Sequence, residues 1–320
     1  MRADSNWNKL KDLLHPRPSK KSLQQLKDYC TEKDIRIVHW INGPGNRYIN
    51  QYLKENGIKV LSTVHDLHPH EAKKAVHKML RFHVNAHRNQ LAIKEAEYMV
   101  TNSRTQFDEL KELYPDKGIY FHEFPSLVNP ALAEGCAIPQ EMEGITSPYI
   151  LFFGRIEEYK GISLLYEAFT ECTSLSSRYK LVIAGSGTLS FRRKKDEKNV
   201  IVINRYIKDE EVKFLYEHAA CVAYPYISAT QSGVLSLAYY FGTPVLASDV
   251  DFFKGIISSS GAGRLFRKCD VDDLKKQLLY IVGHDNTGLI AAEKKYYKDY
   301  YDGDAIRKEL LHIYEQIRES

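Results

Sequence analysis

Residues 149–161 read YILFFGRIEEYKG, and they are followed at 162–169 by ISLLYEAF. The first five residues form an unbroken apolar run of the kind that a strand buried on both faces requires. A glycine ends the run, two cations and two acids follow, and the next segment has the i, i+3, i+4 spacing of an amphipathic helix. Strand, glycine turn and helix make one βα unit. At the carboxyl end of such a strand, Gly154 lets backbone approach a ligand, the helix start offers unpaired N–H groups, and Arg155 and Lys160 supply positive charge for a diphosphate. A surface arginine and lysine beside an ordinary βα turn would show the same spacing.

The same rhythm runs outward in both directions. Upstream lie IRIVHWI at 35–41, IKVLSTV at 58–64, EYMVTN at 97–102 and IYFHEF at 119–124; downstream lie YKLVIAG at 179–185, NVIVI at 199–203, ACVAYPY at 220–226 and TPVLAS at 243–248. Short apolar runs separated by helical stretches predict parallel α/β architecture. With 320 residues the chain has room for two such domains. Residues 129–148, where proline and glycine cluster without periodicity, read as the linker between them. From Asp270 onward, VDDLKKQLLYIV and AIRKELLHIYEQI are helical in spacing.

Composition narrows the function classes. The 45 basic and 41 acidic residues leave a net charge of +4, too even a balance to require nucleic acid as partner. Five widely spaced cysteines without a Cys-x-x-Cys pair suggest neither a disulfide framework nor a zinc site, and fit a reducing cytoplasm. The first 21 residues lack the apolar core of a secretion signal, and no apolar run of about 18 residues occurs. No Gly-x-Gly-x-x-Gly opens a helix with an acid about 20 residues on, which argues against a nicotinamide enzyme.

The segment Gly154-Arg155…Glu157-x-x-Lys160-Gly161 resembles the signature of family 4 (group 1) glycosyltransferases, and three further landmarks follow in the family's order. They are Ala184-Gly185-Ser186-Gly187 after a strand, the approach through Arg205-Tyr206-Ile207, and SATQSGVLSLAYYFGTPVLASDV at 228–250 with its Gly242-Thr243-Pro244 turn. The resemblance implies a GT-B-like α/β fold of two Rossmann-type doubly wound domains facing a cleft. Residues 1–139 would be the acceptor side, shortened at its amino terminus and with its linker from 129; residues 140–290 would bind the nucleotide-sugar donor; 291–320 would be helices packing back toward the first domain. It implies that Arg155 and Lys160 hold the donor diphosphate and that the backbone of Arg205, Tyr206 and Ile207 faces the base. Gly154, Gly185, Ser186, Gly187, Thr230, Gln231, Ser232 and Gly233 would complete the donor site. Ser232 and Gly233 at a predicted helix start also suit simple capping.

LSTVHDLHPHE at 61–71 places His65 at a strand end, similar to the element by which the family points a histidine at the reacting centre. A structural histidine is the plainer alternative. His65, Asp66, His68 and His70 also invite a metal, but they span a proline-containing loop rather than one helical face. Three Asp-x-Asp pairs (Asp249/Asp251, Asp270/Asp272, Asp302/Asp304) invite a divalent ion, but so short a pattern arises readily by chance, and two of the three sit at predicted helix starts where Asp is an ordinary cap. Residues 71–96 form a basic helical stretch that suits either a solvated face or an anionic lipid surface. The chain departs from the family in one respect: where many members carry Glu-x7-Glu, it has Ala229 and Leu237.

The resemblance thus implies a cytoplasmic glycosyltransferase, a retaining hexosyltransferase, with membrane association as a further expectation from the basic stretch. It would move a sugar from a nucleotide-diphosphate donor to a glycan or lipid-linked acceptor in surface polysaccharide or glycoconjugate synthesis, with no cofactor or metal required. The missing glutamates and shortened first half motivate the alternative of a non-catalytic nucleotide-sugar-binding subunit.

Overall fold

The computed structural model describes residues 17–43, 45–65, 67, 89–194 and 197–320. The chain divides into two compact units: one runs to Glu123 and is completed by Arg307–Ser320, and the other is Phe124–Ile306. His68, His70 and Asp66 of the candidate metal group, and 71–88 of the basic stretch, lie outside the described residues.

In the first unit, β1 (Ile37–Trp40), β2 (Lys59–Val64), β3 (Tyr98–Thr101) and β4 (Gly118–Phe121) form a parallel sheet in sequence order. Leu61, Tyr98 and Val100 pack against Ile313 and Ile317 of the helix Gly303–Glu319. A second cluster joins Val64 and Met99 to Ile93 and Leu110. The Lys59 ammonium donates to the Ile317 carbonyl at 2.6 Å, a cation on the negative end of that helix.

The second unit holds six parallel strands: β5 (Tyr149–Phe153), β6 (Lys180–Gly185), β7 (Val200–Asn204), β8 (Ala219–Tyr224), β9 (Val245–Ser248) and β10 (Arg264–Phe266). Their order is β10-β9-β8-β5-β6-β7. The chain winds outward from β5 to β7 and then returns to the other side of β5. The continuous apolar runs explain the burial: Ile150, Leu151 and Phe152 of β5 and Leu181, Val182, Ile183 and Ala184 of β6 are wholly inaccessible. In such a sheet the reversal between β5 and β8 opens a crevice at the carboxyl ends, the usual ligand position of the architecture.

Residues 129–148 are folded onto the second unit rather than strung between the two. Asn129 caps the short helix Pro130–Glu134, whose Leu132 is buried, and Met142 is 2% exposed. The Ala137 amide bonds the Glu210 carbonyl at 3.0 Å. Proline and glycine punctuate this stretch, which is why it reads as linker, but the apolar residues between them anchor it.

Candidate active site

The two chain segments leaving the crevice strands meet at a glycine. Gly161 has φ +64°, and an added Cβ would lie 1.9 Å from the Pro225 carbonyl. Only glycine permits both the conformation and the approach. The Ile227 amide bonds the Tyr159 carbonyl at 2.8 Å, so the turn after β5 is fastened to the loop after β8. That places the Lys160 ammonium 3.7 Å from the centre of the Tyr226 ring and 4.9 Å from that of Tyr159. Lys160 is 9% exposed. Burial, with the Arg155 charge second and Glu157 opposing, pulls its pKa down to about 7. Its ammonium makes no hydrogen bond or ion pair with any described residue.

Arg155, at the mouth, is exposed and pairs with Glu157 at 3.1 Å. Beside it Gly154 takes φ +139°, and a Cβ built there meets nothing nearer than Val234 Cγ1 at 3.9 Å. Val234 begins the helix Val234–Phe241, which has no side-chain cap. Ser232, just before it, is buried, and its hydroxyl lies 3.2 Å from that of Tyr226. The structure therefore brings together Gly154, Lys160 and the Ser232–Gly233 helix start. Thr230 and Gln231 are half-buried in the connecting loop.

Other expected donor residues have engagements of their own. Gly185 and Gly187 lie where the turns after β5 and β6 touch: added Cβ atoms would come 1.8 Å from the Gly154 carbonyl and 2.1 Å from that of Ile156. Asn204 bonds both the amide and the carbonyl of Gly187 at 3.1 Å. These glycines serve the contact between turns, while Ser186 between them is exposed. Arg205 grips Glu211 at 2.7 Å and Glu141 at 2.9 Å, and the two carboxylates hold its pKa well above the ordinary value. Tyr206 is exposed and Ile207 buried in the core.

The carboxyl ends of the first sheet carry histidines. His65 follows β2; its Nε2 donates to the Ile41 carbonyl at 2.7 Å, and its own carbonyl accepts from Gln106 Nε2 at 3.1 Å. His39 in β1 bonds the Tyr314 and Thr63 hydroxyls at 2.8 and 2.9 Å. Burial, with His122 second, takes its pKa down to about 4. Burial also lowers that of His122 against the bond its ring makes to the Glu123 carbonyl, and His65 adds to the lowering. Sequence reading picked out His65 but missed His39, His122, Gln106, Tyr159 and Tyr226. Tyr226 lies two residues past β8 at the reversal of the sheet, and its position in sequence does not show the cation it meets.

Among the described residues no three His, Cys, Asp or Glu side chains gather into a metal-binding group. One aspartate of each Asp-x-Asp pair accepts a backbone amide: Asp270 from Asp273, Asp302 from Asp304 and Asp249 from Lys268. No helix among the described residues is long and apolar enough to cross a membrane.

Residues 139–296 match the model of the family "Glycosyl transferases group 1". A phosphatidyl-myo-inositol mannosyltransferase of Mycolicibacterium smegmatis is 25% identical over 175 residues, which are 52% of this chain and 45% of that protein. The match thus spans less than half of the curated relative. A glycosyltransferase of Rickettsia africae superposes with a TM-score of 0.66 at 16% identity, covering 95% of this chain and 84% of its own. The Anabaena protein HepE in complex with UDP gives 0.64 at 12% identity, covering 93% and 82%. Residues 139–296 therefore match the glycosyl transferases group 1 family, and the two parallel sheets of the chain form a GT-B fold.

Proposed function

We propose that the chain transfers a glycosyl group from a nucleoside-diphosphate sugar to a hydroxyl of a glycan or lipid-linked acceptor, with the donor diphosphate held between the ends of β5 and β8. The observation that carries the reading is Lys160, a largely buried residue whose ammonium lies on an aromatic face without a hydrogen bond or ion pair among the described residues. A cation removed from water without a counter-anion is costly. An incoming diphosphate removes that cost. Arg155 adds a second cation whose exposed pair with Glu157 is weak enough to turn to a ligand.

In the transfer, the bond from the anomeric carbon to the terminal phosphate oxygen breaks, a bond to the acceptor oxygen forms, and the acceptor's proton leaves. Negative charge builds on the departing diphosphate, where Lys160, Arg155 and the helix start at Ser232–Gly233 stabilise it without requiring a metal. The remaining donor contacts of the reading are Gly154, Gly185, Ser186, Gly187, the backbone of Arg205, Tyr206 and Ile207, and Thr230 and Gln231. His65 serves the acceptor side. Retention at the anomeric carbon, a hexose donor, a cytoplasmic location and a membrane contact through 71–96 belong to the same reading. The UDP bound to HepE and the lipid-linked acceptor in the mycobacterial relative's name support it.

A second reading, a nucleotide-sugar-binding subunit that serves another enzyme, is favoured by one feature: Ala229 and Leu237 stand where many relatives have carboxylates, and Leu237 is 2% exposed in the core.

Calorimetry with a panel of nucleoside diphosphates tests the site. Replacing Arg155 or Lys160 by Ala should weaken binding by about 1.5–3 kcal/mol each; unchanged affinity in a folded double variant would refute it. Turnover that His65→Ala abolishes while nucleotide affinity persists supports the enzyme. Binding without transfer to any acceptor, unless a partner is added, supports the second reading.

A further inference from the structure

We propose that Tyr226 is the positioning residue of this site: its ring carries the Lys160 ammonium from β5's side of the reversal, and its hydroxyl holds Ser232 at the start of the opposite helix. The proposal rests on the reading of Lys160 as the diphosphate cation.

Four contacts hold Tyr226 in place. Its side chain is wholly buried. Phe253 packs edge-on to its ring with centroids 5.1 Å apart, and Tyr224 does so at 5.8 Å. Its carbonyl accepts from the Ser248 hydroxyl at 2.6 Å. The Pro225 carbonyl before it is the atom against which Gly161 packs. A tyrosine so fixed presents one ring face at 3.7 Å to Lys160 and one hydroxyl at 3.2 Å to Ser232. The two motifs are separated by some 70 residues in sequence, and this side chain touches both.

The chemistry of the contact is specific. An aromatic face attracts a cation through its quadrupole but offers no full negative charge. A carboxylate in the same place would neutralise Lys160 and repel a diphosphate. The ring holds the ammonium while leaving its charge uncompensated. The groups that face Lys160 are Arg155 and Glu157 on its own turn, Tyr159 beside it and Tyr226 across the crevice. Because burial brings the titration of Lys160 to about 7, donor binding should take up a proton and weaken as pH rises above that value.

The test measures affinity between pH 6 and 9 for UDP-, GDP-, ADP- and dTDP-linked hexoses, whose diphosphate diesters keep constant charge over that range. The full chain is compared with Lys160→Met, Tyr226→Phe and Tyr226→Leu. Tyr226→Phe keeps the ring under Lys160 but removes the hydroxyl that holds Ser232, and should bind a few-fold more weakly than the parent with its pH midpoint unchanged. Tyr226→Leu should bind on the order of tenfold more weakly, with its pH midpoint displaced downward, because the charged lysine has lost its support. Should Tyr226→Leu fail to fold, phenylalanine carrying increasing numbers of ring fluorines at position 226 keeps the shape and removes the face charge; affinity should fall stepwise with each fluorine. Loss of binding in Lys160→Met, with Tyr226→Leu or the fluorinated rings matching the parent in affinity and pH midpoint, overturns the role of Tyr226 alone. Unchanged binding in Lys160→Met, or no binding of any nucleotide sugar by the parent, overturns the reading of the site itself.

Discussion

The carboxyl ends of the two sheets are built on opposite electrostatic plans. In the second unit the strand order reverses between β5 and β8, and the groups that meet there are a buried lysine, two tyrosines and an exposed arginine. In the first, the described strands follow sequence order, and the strand ends carry histidines bonded to their surroundings, with burial holding His39 and His122 toward the neutral form. At one end the Lys160 ammonium has no ionic partner among the described residues, and at the other His39 and His65 are hydrogen-bonded to neighbouring groups. The difference teaches that an anion is expected in the second unit, whereas the first offers neutral, already oriented imidazoles suited to hydrogen bonding.

The comparison can be broken at its tightest point. Gly185→Ala would force a Cβ to 1.8 Å from the Gly154 carbonyl, and should cost the second unit about 3 kcal/mol or more together with nucleotide binding. Gly57→Ala in the first unit, at φ +74° but with nothing within 4 Å, should cost only about 1–2 kcal/mol. Denaturant melts of the two variants check the contrast. Comparable losses would mean that the turns after β5 and β6 are not the rigid element described.

Acid should sharpen the difference. His39 titrates at about 4 in the folded chain against about 6.5 when unfolded, so the unfolded state binds the proton first. The stability of the first unit is therefore full above the unfolded value and falls as pH drops toward 4. Trp40 ends β1 of the first unit, so its fluorescence reports that unit; His39→Gln should flatten the dependence. Glu293 gives the second unit the reverse slope. Burial raises its pKa well above normal, against one bond from the Val245 amide. Its unfolded form loses the proton first, so stability declines as pH rises through the ordinary carboxylate range and beyond. Glu293→Gln should remove that decline, read by hydrogen exchange in β6. The smallest effect is expected at Lys59→Met, which removes the cation from the helix end at Ile317 and should cost about 0.5–1 kcal/mol in the first unit.

What could be read from sequence follows the same division. The second unit was legible because its strands are continuous apolar runs and its turns carry glycines and cations at fixed spacing, so Gly154, Lys160 and Ser232 were named before any fold was known. A glycine pattern alone does not show which close neighbour it admits; at Gly185 and Gly187 the structure shows the turn after β5 as one such neighbour. Arg205 likewise looks available until Glu141 and Glu211, 64 residues before it and six after, close on it. Tyr226 was hidden because the tail of a buried strand gives no sign of which ring faces a cation brought from 66 residues away. The stretch 129–148 misled because Pro and Gly mark turns equally well in a linker and in a packed connection.

In the proposed function the crevice between β5 and β8 receives a nucleoside diphosphate. Hydrogen exchange of the full chain with and without UDP, GDP, ADP and dTDP, followed alongside the melting temperature, tests it directly. At least one nucleotide should raise the melting temperature in a concentration-dependent way and protect residues 154–161 and 225–234, leaving 61–65 unchanged. Stabilisation with protection confined to other segments, or none at millimolar nucleotide, would contradict it.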